Sequence, residues 1–447
     1  MFRKTFITLA VASICSTAWA AVSPEEAKQL GNNLTPIGAE KAGNKDGSIP
    51  AYTGGLTAPP TNFKKGEGVR PDPFAADKPL YAVDAKNMSQ HADKLTEGTK
   101  ELLKRYPTFR VDVYPTHRSA AIAKFVADNT LKNATRAKTT DGGIGLDSAF
   151  GGVPFPIPKD GYEVMWNHLT RYVGFTYQFR GKSFTVDASG RPALSTETVN
   201  TNEFPYYDPK KTSTDIYYMV RLDYKGPARR AGEGLLVHDP LNYLSGSRRA
   251  WQYLPGQRRV KLAPDIAYDT PNPVTSGMTT YDDAFMYNGK MDRYDFKLVG
   301  KKEIVVPYND YRLVYNSKLD DVFKPQFVNP DLVRWELHRV WVVEATLKPD
   351  ARHIYAKRRF YIDEDTWIAV ASDAYDARGN YFRAGFNFLT PSYDQAAVFG
   401  DCNVFYDLIA GTYTVLGLVS ETGGVRYIDP PAEKEWTADA LAGSGLR

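Results

Sequence analysis

The sequence predicts an α+β protein built on one large, curved antiparallel β-sheet, and three features carry that prediction. The first is the stretch Trp335–Leu347. Trp335, Leu337, Trp341, Val343, Ala345 and Leu347 fall on one face with Arg339 as its one charged member, while Glu336, His338, Glu344 and Thr346 fall on the other, interrupted by Val340 and Val342. A period of two is that of a strand, whose alternate side chains point to opposite sides. The second is that from Arg171 onward strand follows strand, roughly eleven to thirteen in all, each bounded by turn residues. The third is that helical spacing is confined to the first 170 residues and a short stretch at Tyr281–Tyr287. Helices segregated from strands define the α+β class, single apolar faces mean a one-sided sheet packed against something, and a sheet of so many strands curls.

The chain has 447 residues, 43% of them hydrophobic, enough for a sizeable core. Arg3 and Lys4, the apolar run Thr5–Ile14 and Ala18-Trp19-Ala20 form a secretory signal, so the mature chain is expected to begin at Ala21 in the periplasm, with the outer membrane as a further place of association. Without Arg3 and Lys4, 54 basic and 52 acidic residues remain, a balance that gives no support for nucleic acid as partner. Cys15 lies inside the signal behind Ile14, where a lipoprotein signal needs a small residue. Cys402 alone survives processing, so no intramolecular disulfide forms.

Residues 21–165 read as a strap with loops and helices that wrap the sheet, 166–430 as the sheet with a mid-chain helical insertion, and 431–447 as a polar tail. Ser23-Pro24-Glu25-Glu26 is a capped helix start. Leu34–Gly55 is punctuated by Gly and Pro and reads as an irregular strap. Helices are expected over Asn87–Tyr106, His117–Leu131 and Lys159–Leu169, with a short strand Phe109–Pro115 between the first two. The Gly-rich loop Asp141–Pro158 lacks the Gly-Lys-Ser/Thr of a phosphate loop, which excludes a nucleotide site.

Arg171–Phe179 and Ser183–Ala188 read as a hairpin turning at Gly181. Ile216–Tyr224, Glu233–His238, Arg248–Leu254 and Arg258–Leu262 follow, the last two joined by Pro255-Gly256. Asp295–Val306, Tyr311–Tyr315, Trp335–Leu347, His353–Asp363, Trp367–Tyr375, Tyr381–Leu389, Asn403–Ile409 and Thr412–Val419 complete the strands.

Three segments together resemble a known family: the strap at 34–55, the aromatic strand, Pro-Gly turn and basic return strand at 248–262, and Phe360-Tyr361-Ile362-Asp363 with Thr366-Trp367, followed by Tyr375-Asp376 and Gly379. The pattern is similar to the LolA/LolB-like periplasmic carriers, and more closely to a Gram-negative family known by similarity as outer-membrane lipoprotein-sorting proteins. The resemblance implies an open half-barrel whose concave face is covered by helices and long loops. It implies a hydrophobic small molecule or lipid as ligand, an inner-membrane exporter and an outer-membrane acceptor as partners, and no cofactor.

The residues themselves offer little chemistry. None of the six histidines is spaced for a metal, and no Gly-x-Ser-x-Gly elbow occurs. His238-Asp239 and His338 with Glu344 are the possible acid/base couples, and Asp363-Glu364-Asp365 has the look of an acidic hairpin turn rather than a cation site. The expected ligand wall is Trp251, Tyr253, Trp335, Leu337, Trp341, Val343, Phe360 and Ile362. Consecutive arginines on a strand send one guanidinium to each face, so Arg248, Arg258, Arg339 and Arg358 are the expected contacts for a phosphate or carboxylate head. Together with the resemblance, the one-sided sheet and the lack of a catalytic constellation predict a non-enzymatic carrier that buries a lipid or acyl chain on its way to the outer membrane. The alternatives are an envelope interaction protein whose concave face is filled, and, behind both, a hydrolase or lyase built on the histidines.

Overall fold

The computed structural model describes residues 22–444, so the signal-sequence reading at 1–20 and Cys15 lie outside the described residues. Strands β1 (Tyr81–Val83) and β2 (Val111–Val113) pair at one edge of the main sheet, while β3 (Lys138–Thr140) and β4 (Gly145–Asp147) form a small hairpin apart. A meander follows: β5 (Thr176–Val186), β6 (Pro192–Glu203), β7 (Ile216–Gly226), β8 (Gly234–Pro240), β9 (Arg249–Leu254) and β10 (Arg259–Leu262). Next come β11 (Tyr294–Pro307), β12 (Trp335–Leu347), β13 (Lys357–Asp363), β14 (Ala369–Tyr375) and β15 (Tyr381–Asn387). After a side hairpin of β16 (Thr390–Ser392) and β17 (Ala397–Phe399), β18 (Asn403–Asp407), β19 (Thr412–Leu418) and β20 (Val425–Tyr427) return to the main sheet.

The main sheet has 16 strands in the order β1-β2-β12-β13-β14-β15-β18-β19-β5-β6-β7-β8-β9-β10, with β11 on β12 and β20 on β5. Its end strands do not pair, so the sheet is open. Every ladder is antiparallel apart from one parallel bridge, Trp335 to Val113. The fold is therefore the α+β, large open antiparallel sheet that the sequence predicts.

The helices are α1 (Pro24–Ala27), α2 (Glu97–Arg105), α3 (Lys124–Ala134), α4 (Gly161–Leu169), α5 (Tyr311–Asn316), α6 (Leu319–Val322) and α7 (Ala438–Ser444). Both faces of the sheet are covered. On β14, the Gly98 amide of α2 donates to the Asp373 carboxylate at 2.9 Å, while the adjacent Ser372 Oγ meets Met286 Sδ at 3.5 Å. Neighbouring residues on a strand point to opposite sides. So α2 caps one face and the turn Tyr281–Met286 caps the other.

Four readings are corrected in their bounds or type. The helix expected over Asn87–Tyr106 breaks at Leu95-Thr96, because the Thr96 hydroxyl caps α2 by accepting from the Thr99 amide. The helix expected from His117 starts only at Lys124. The segment before it is extended and spent on the sheet: the His117 amide donates to Glu336 and Arg118 reaches Asp365. Tyr311–Asn316 is helical rather than a strand, in a window too short for periodicity to decide. Finally β5 does not turn at Gly181 but runs through it. A Cβ there would lie 2.9 Å from the Phe179 ring and 3.4 Å from Gly417 Cα, so the glycine serves close packing and not a hairpin. The strand β6 has no counterpart in the sequence reading.

The N-terminal region is tied to the sheet by buried polar contacts. The Trp367 indole donates to the Ile37 carbonyl at 3.0 Å, and Arg70 pairs with Asp394 at 2.7 Å. His168, fully buried at the end of α4, accepts from the Ala369 amide at Nδ1 and donates from Nε2 to the Tyr287 carbonyl; burial lowers its pKa to about 3 and keeps it neutral.

Candidate functional site

Alternation on neighbouring strands builds a cavity. Thr198, Asn200 and Asn202 of β6, Tyr218, Val220 and Leu222 of β7, and Leu235 and Val237 of β8 all face it. So do Phe179 and Ser183 of β5, Asn403 and Phe405 of β18, and Leu416 of β19. Each set is spaced by two, the period of a pleated strand. The roof is the insertion between β10 and β11, which contributes Ile266, Val274, Tyr281 and Phe285. The space has a volume of about 170 Å³. That is close to the roughly 150 Å³ of a cavity known to accept benzene.

The roof is held by buried charge pairs. Arg358 of β13 lies 3.1 Å from Asp282 and 2.8 Å from Asp283, and His353 lies 3.0 Å from Asp282. The Asp283 carboxylate also accepts from the Thr280 amide at 2.8 Å, closing a capping box at the start of the turn. Beyond it, Phe285 and Met286 adopt left-handed backbone angles, φ 55° and 71°. That conformation is costly for large side chains and is sustained by the surrounding contacts.

The lining mixes apolar walls with polar groups that have hydrogen-bonding capacity left. Asn202 Oδ1 accepts from the Tyr218 hydroxyl at 2.8 Å, but its buried Nδ2 has no partner among the described residues. Asp401 lies deep yet keeps accessible surface because it faces the cavity. The Tyr177 hydroxyl sits 3.0 Å from both its oxygens, and burial pushes its pKa up to about 7 against the opposing charge of Arg171.

Of the residues singled out from the sequence, Arg248 alone lines this cavity, and its guanidinium is engaged by Asp239 at 2.6 and 2.9 Å. Arg258 is exposed in the turn between β9 and β10. Arg339 lies 3.4 Å from Glu364, and Arg358 is bound to the roof acids. Trp251 and Tyr253 pack with Met219, Trp436 and Leu441 in a small cluster beneath α7. Trp335, Leu337, Trp341, Val343, Phe360 and Ile362 belong to the main core. There Trp341 stacks on Trp367 at 6.1 Å and Phe360 meets Tyr287 edge-on at 5.5 Å. The face of β12 and β13 is thus filled by protein. The residues missed were Thr198, Asn200 and Asn202; their signal is polar alternation in a strand.

A second polar centre lies where the strap meets the β13–β14 turn. Arg118 donates to both Asp365 oxygens at 2.8 and 2.7 Å, and Lys301 and Arg339 hold Glu364 at 2.8 and 3.4 Å. His338 pairs with Glu336 at 3.0 Å and not with Glu344, which binds Arg359 at 2.8 Å. Likewise His238 and Asp239 do not couple. Asp239 is held by Arg248, while His238 packs on Trp251 with its Nε2 unpartnered among the described residues. His338, Asp363 and Asp365 bring ligand atoms within 4.8 Å of one another, the one such grouping among the described residues. With both Asp365 oxygens occupied by Arg118, the arrangement works as an ion-pair clamp. The acidic hairpin turn expected from the sequence is buried, and its charge is paired.

Residues 82–442 match the family model described as a protein of unknown function, DUF1329. The chain belongs to the DUF1329 family. It is 44% identical over 446 residues to an uncharacterized protein of Pseudomonas aeruginosa, PA3922, covering 98% of this chain and 97% of that one. Among solved structures, a Vibrio parahaemolyticus domain assigned to the outer-membrane lipoprotein-sorting proteins matches 60% of this DUF1329 chain and 92% of its own length, at 14% identity and a TM-score of 0.41. A LolA superfamily protein from Nitrosomonas europaea matches 63% and 100%, at 12% identity and a TM-score of 0.37. Among the described residues no helix is long and apolar enough to cross a membrane.

Proposed function

We propose that this DUF1329 protein is a periplasmic binding protein that buries the apolar part of an amphiphile in the cavity between β5–β8 and the roof insertion. The observation that carries the reading is a cavity lined by alternate residues of neighbouring strands, with Asn202 Nδ2 left without a partner among the described residues. Buried polar groups are ordinarily satisfied, so such a group on a residue that lines a cavity marks a place for a ligand or water. The mechanism is burial, with no bond made. At about 0.8 kcal/mol per methylene, a six-carbon stretch gains about 5 kcal/mol on leaving water. A longer chain needs the roof to move. In this reading the cargo passes from an inner-membrane exporter towards an outer-membrane acceptor.

Native mass spectrometry with lipid extraction, on protein purified without detergent, tests the proposal. A retained amphiphile is the expected result, and an empty protein that refuses added fluorescent lipid refutes it. The filled face of β12 and β13 favours a second reading, an envelope interaction protein, which such an empty protein would promote.

A further inference from the structure

Eight arginines are buried among the described residues. Seven of them have a carboxylate within 4.0 Å. Arg171 has none among the described residues, although it is 3% exposed. Among the described residues its side chain makes a single hydrogen bond, from Nη1 to the His168 carbonyl at 2.9 Å at the end of α4. A guanidinium carries five N–H donors and stays charged at all ordinary pH, so most of its capacity is unused. An arginine at a helix C-terminus gains from the macrodipole, but that gain is small beside the cost of a buried, unpaired charge.

The cation stands behind the wall of the cavity and does not itself line it. The guanidinium sits 4.4 Å from the ring centroid of Phe285, and Phe285 lines the cavity from its left-handed backbone position. Asp401, the acid whose field Arg171 feels most, lies beyond ion-pair distance and is engaged by the Tyr177 hydroxyl. The aromatic face is the one favourable partner of the charge on that side, and it is a weaker one than an anion.

We propose that Arg171 is the counter-ion for an anionic head, carboxylate or phosphate, of the ligand taken into this cavity, and that Phe285 swings off the guanidinium as the head enters. The proposal rests on the binding function above and names its ligand class. It moves head recognition from the arginine doublets, whose buried members are already paired, to an arginine that no doublet contains. The strain at Phe285 and Met286 suits a side chain with two positions.

Isothermal titration with octanoate, octyl phosphate and octanol tests it. The wild-type protein is expected to bind one or both anions at least tenfold more tightly than octanol, and whichever anion is preferred identifies the head. Arg171→Gln is expected to abolish that preference while still binding octanol, and Arg171→Lys to keep it. Equal affinity for all three probes in the wild type, or an undiminished preference in Arg171→Gln, overturns the proposal and leaves the cavity reading standing. No binding of any probe overturns both. Should Arg171→Gln not fold, Phe285→Ala decides. A gain in anion affinity over octanol supports an aromatic plug on the charge, and an unchanged ratio refutes it.

Discussion

Replacing Arg118 with methionine should destabilise the whole protein, by an amount that depends on pH. Arg118 is 7% exposed, donates to Asp365 at 2.8 and 2.7 Å, lies 3.4 Å from Glu364, and rests 5.4 Å from the Tyr52 ring centroid. Methionine keeps much of the stem's volume and removes the charge. Three consecutive buried acids then face Lys301, Arg339 and His338, and removing one partner of a buried pair costs about 3–5 kcal/mol. Burial already raises the pKa of Asp363 and Glu364. A group whose folded pKa is raised binds more protons folded than unfolded, so its unfavourable contribution is fully present above the folded pKa and fades as pH falls towards the unfolded value. The gap between wild type and variant should therefore be about 3–5 kcal/mol at pH 8 and shrink to about 1–2 kcal/mol by pH 5, where the turn can take up a proton instead of holding an unpaired charge. Equilibrium urea unfolding followed by tryptophan fluorescence reads this, since Trp341 and Trp367 stack beside the cluster. One cooperative transition in both proteins supports a proposal that residues 21–165 and the sheet unfold as a unit. A gap under about 1 kcal/mol at pH 8, or one that widens on acidification, refutes the reasoning.

Further outcomes follow from the cavity. Val237→Phe points a ring into the 170 Å³ space; it should change stability by no more than about 1–2 kcal/mol and weaken octanol binding at least tenfold by titration. For Asp401, whose pKa burial lifts to about 7, the charged form is disfavoured in the folded protein. Wild-type stability should therefore fall between pH 4 and pH 7, and Asp401→Asn should flatten that slope by on the order of 1–3 kcal/mol in urea titrations at each pH. Gly417 has φ 67°, and a Cβ there would lie 2.2 Å from the Asp401 carbonyl oxygen. Gly417→Ala should cost at least about 2 kcal/mol and lower the melting temperature by several degrees, whereas Gly411→Ala, with φ 67° and open space around it, should cost about 1 kcal/mol.

The sheet was legible because most strands bury one apolar face, and burial writes itself as alternation. Trp335–Leu347 was read with its observed bounds for that reason. The strand β6 fails the same test for a physical cause. Its inward residues Thr198, Asn200 and Asn202 meet a cavity instead of a core, so its alternation is polar against polar, and asparagine is depleted in strands generally. The site was hidden by the rule that revealed the fold. The arginines raise a different point. The pleat sends Arg358 and Arg359 to opposite faces, and the structure agrees: Arg359 meets Glu344 at 2.8 Å, while Arg358 turns to the roof. What local sequence could not supply was the partner, since Asp283 lies 75 residues away.

This has a consequence for how such sheets carry ligands. A strand whose inward side chains are Trp, Val, Phe and Ile attracts protein to cover it, and β12 and β13 are covered. The cavity lies instead where β6 sets Asn200 and Asn202 among the apolar residues of β7, β8 and the roof. The greasy face is the core and the amphipathic one is the pocket. An amphiphile suits that pocket better than a pure hydrocarbon, because a hydrocarbon leaves Asn202 Nδ2 without the partner that a polar group could supply, and a buried donor left unsatisfied costs about 1–3 kcal/mol. Asn202→Leu should therefore shift selectivity: it should strengthen binding of an alkane such as octane relative to octanol by about tenfold in competition titrations. An unchanged ratio would mean that Asn202 is satisfied by water and takes no part in recognition.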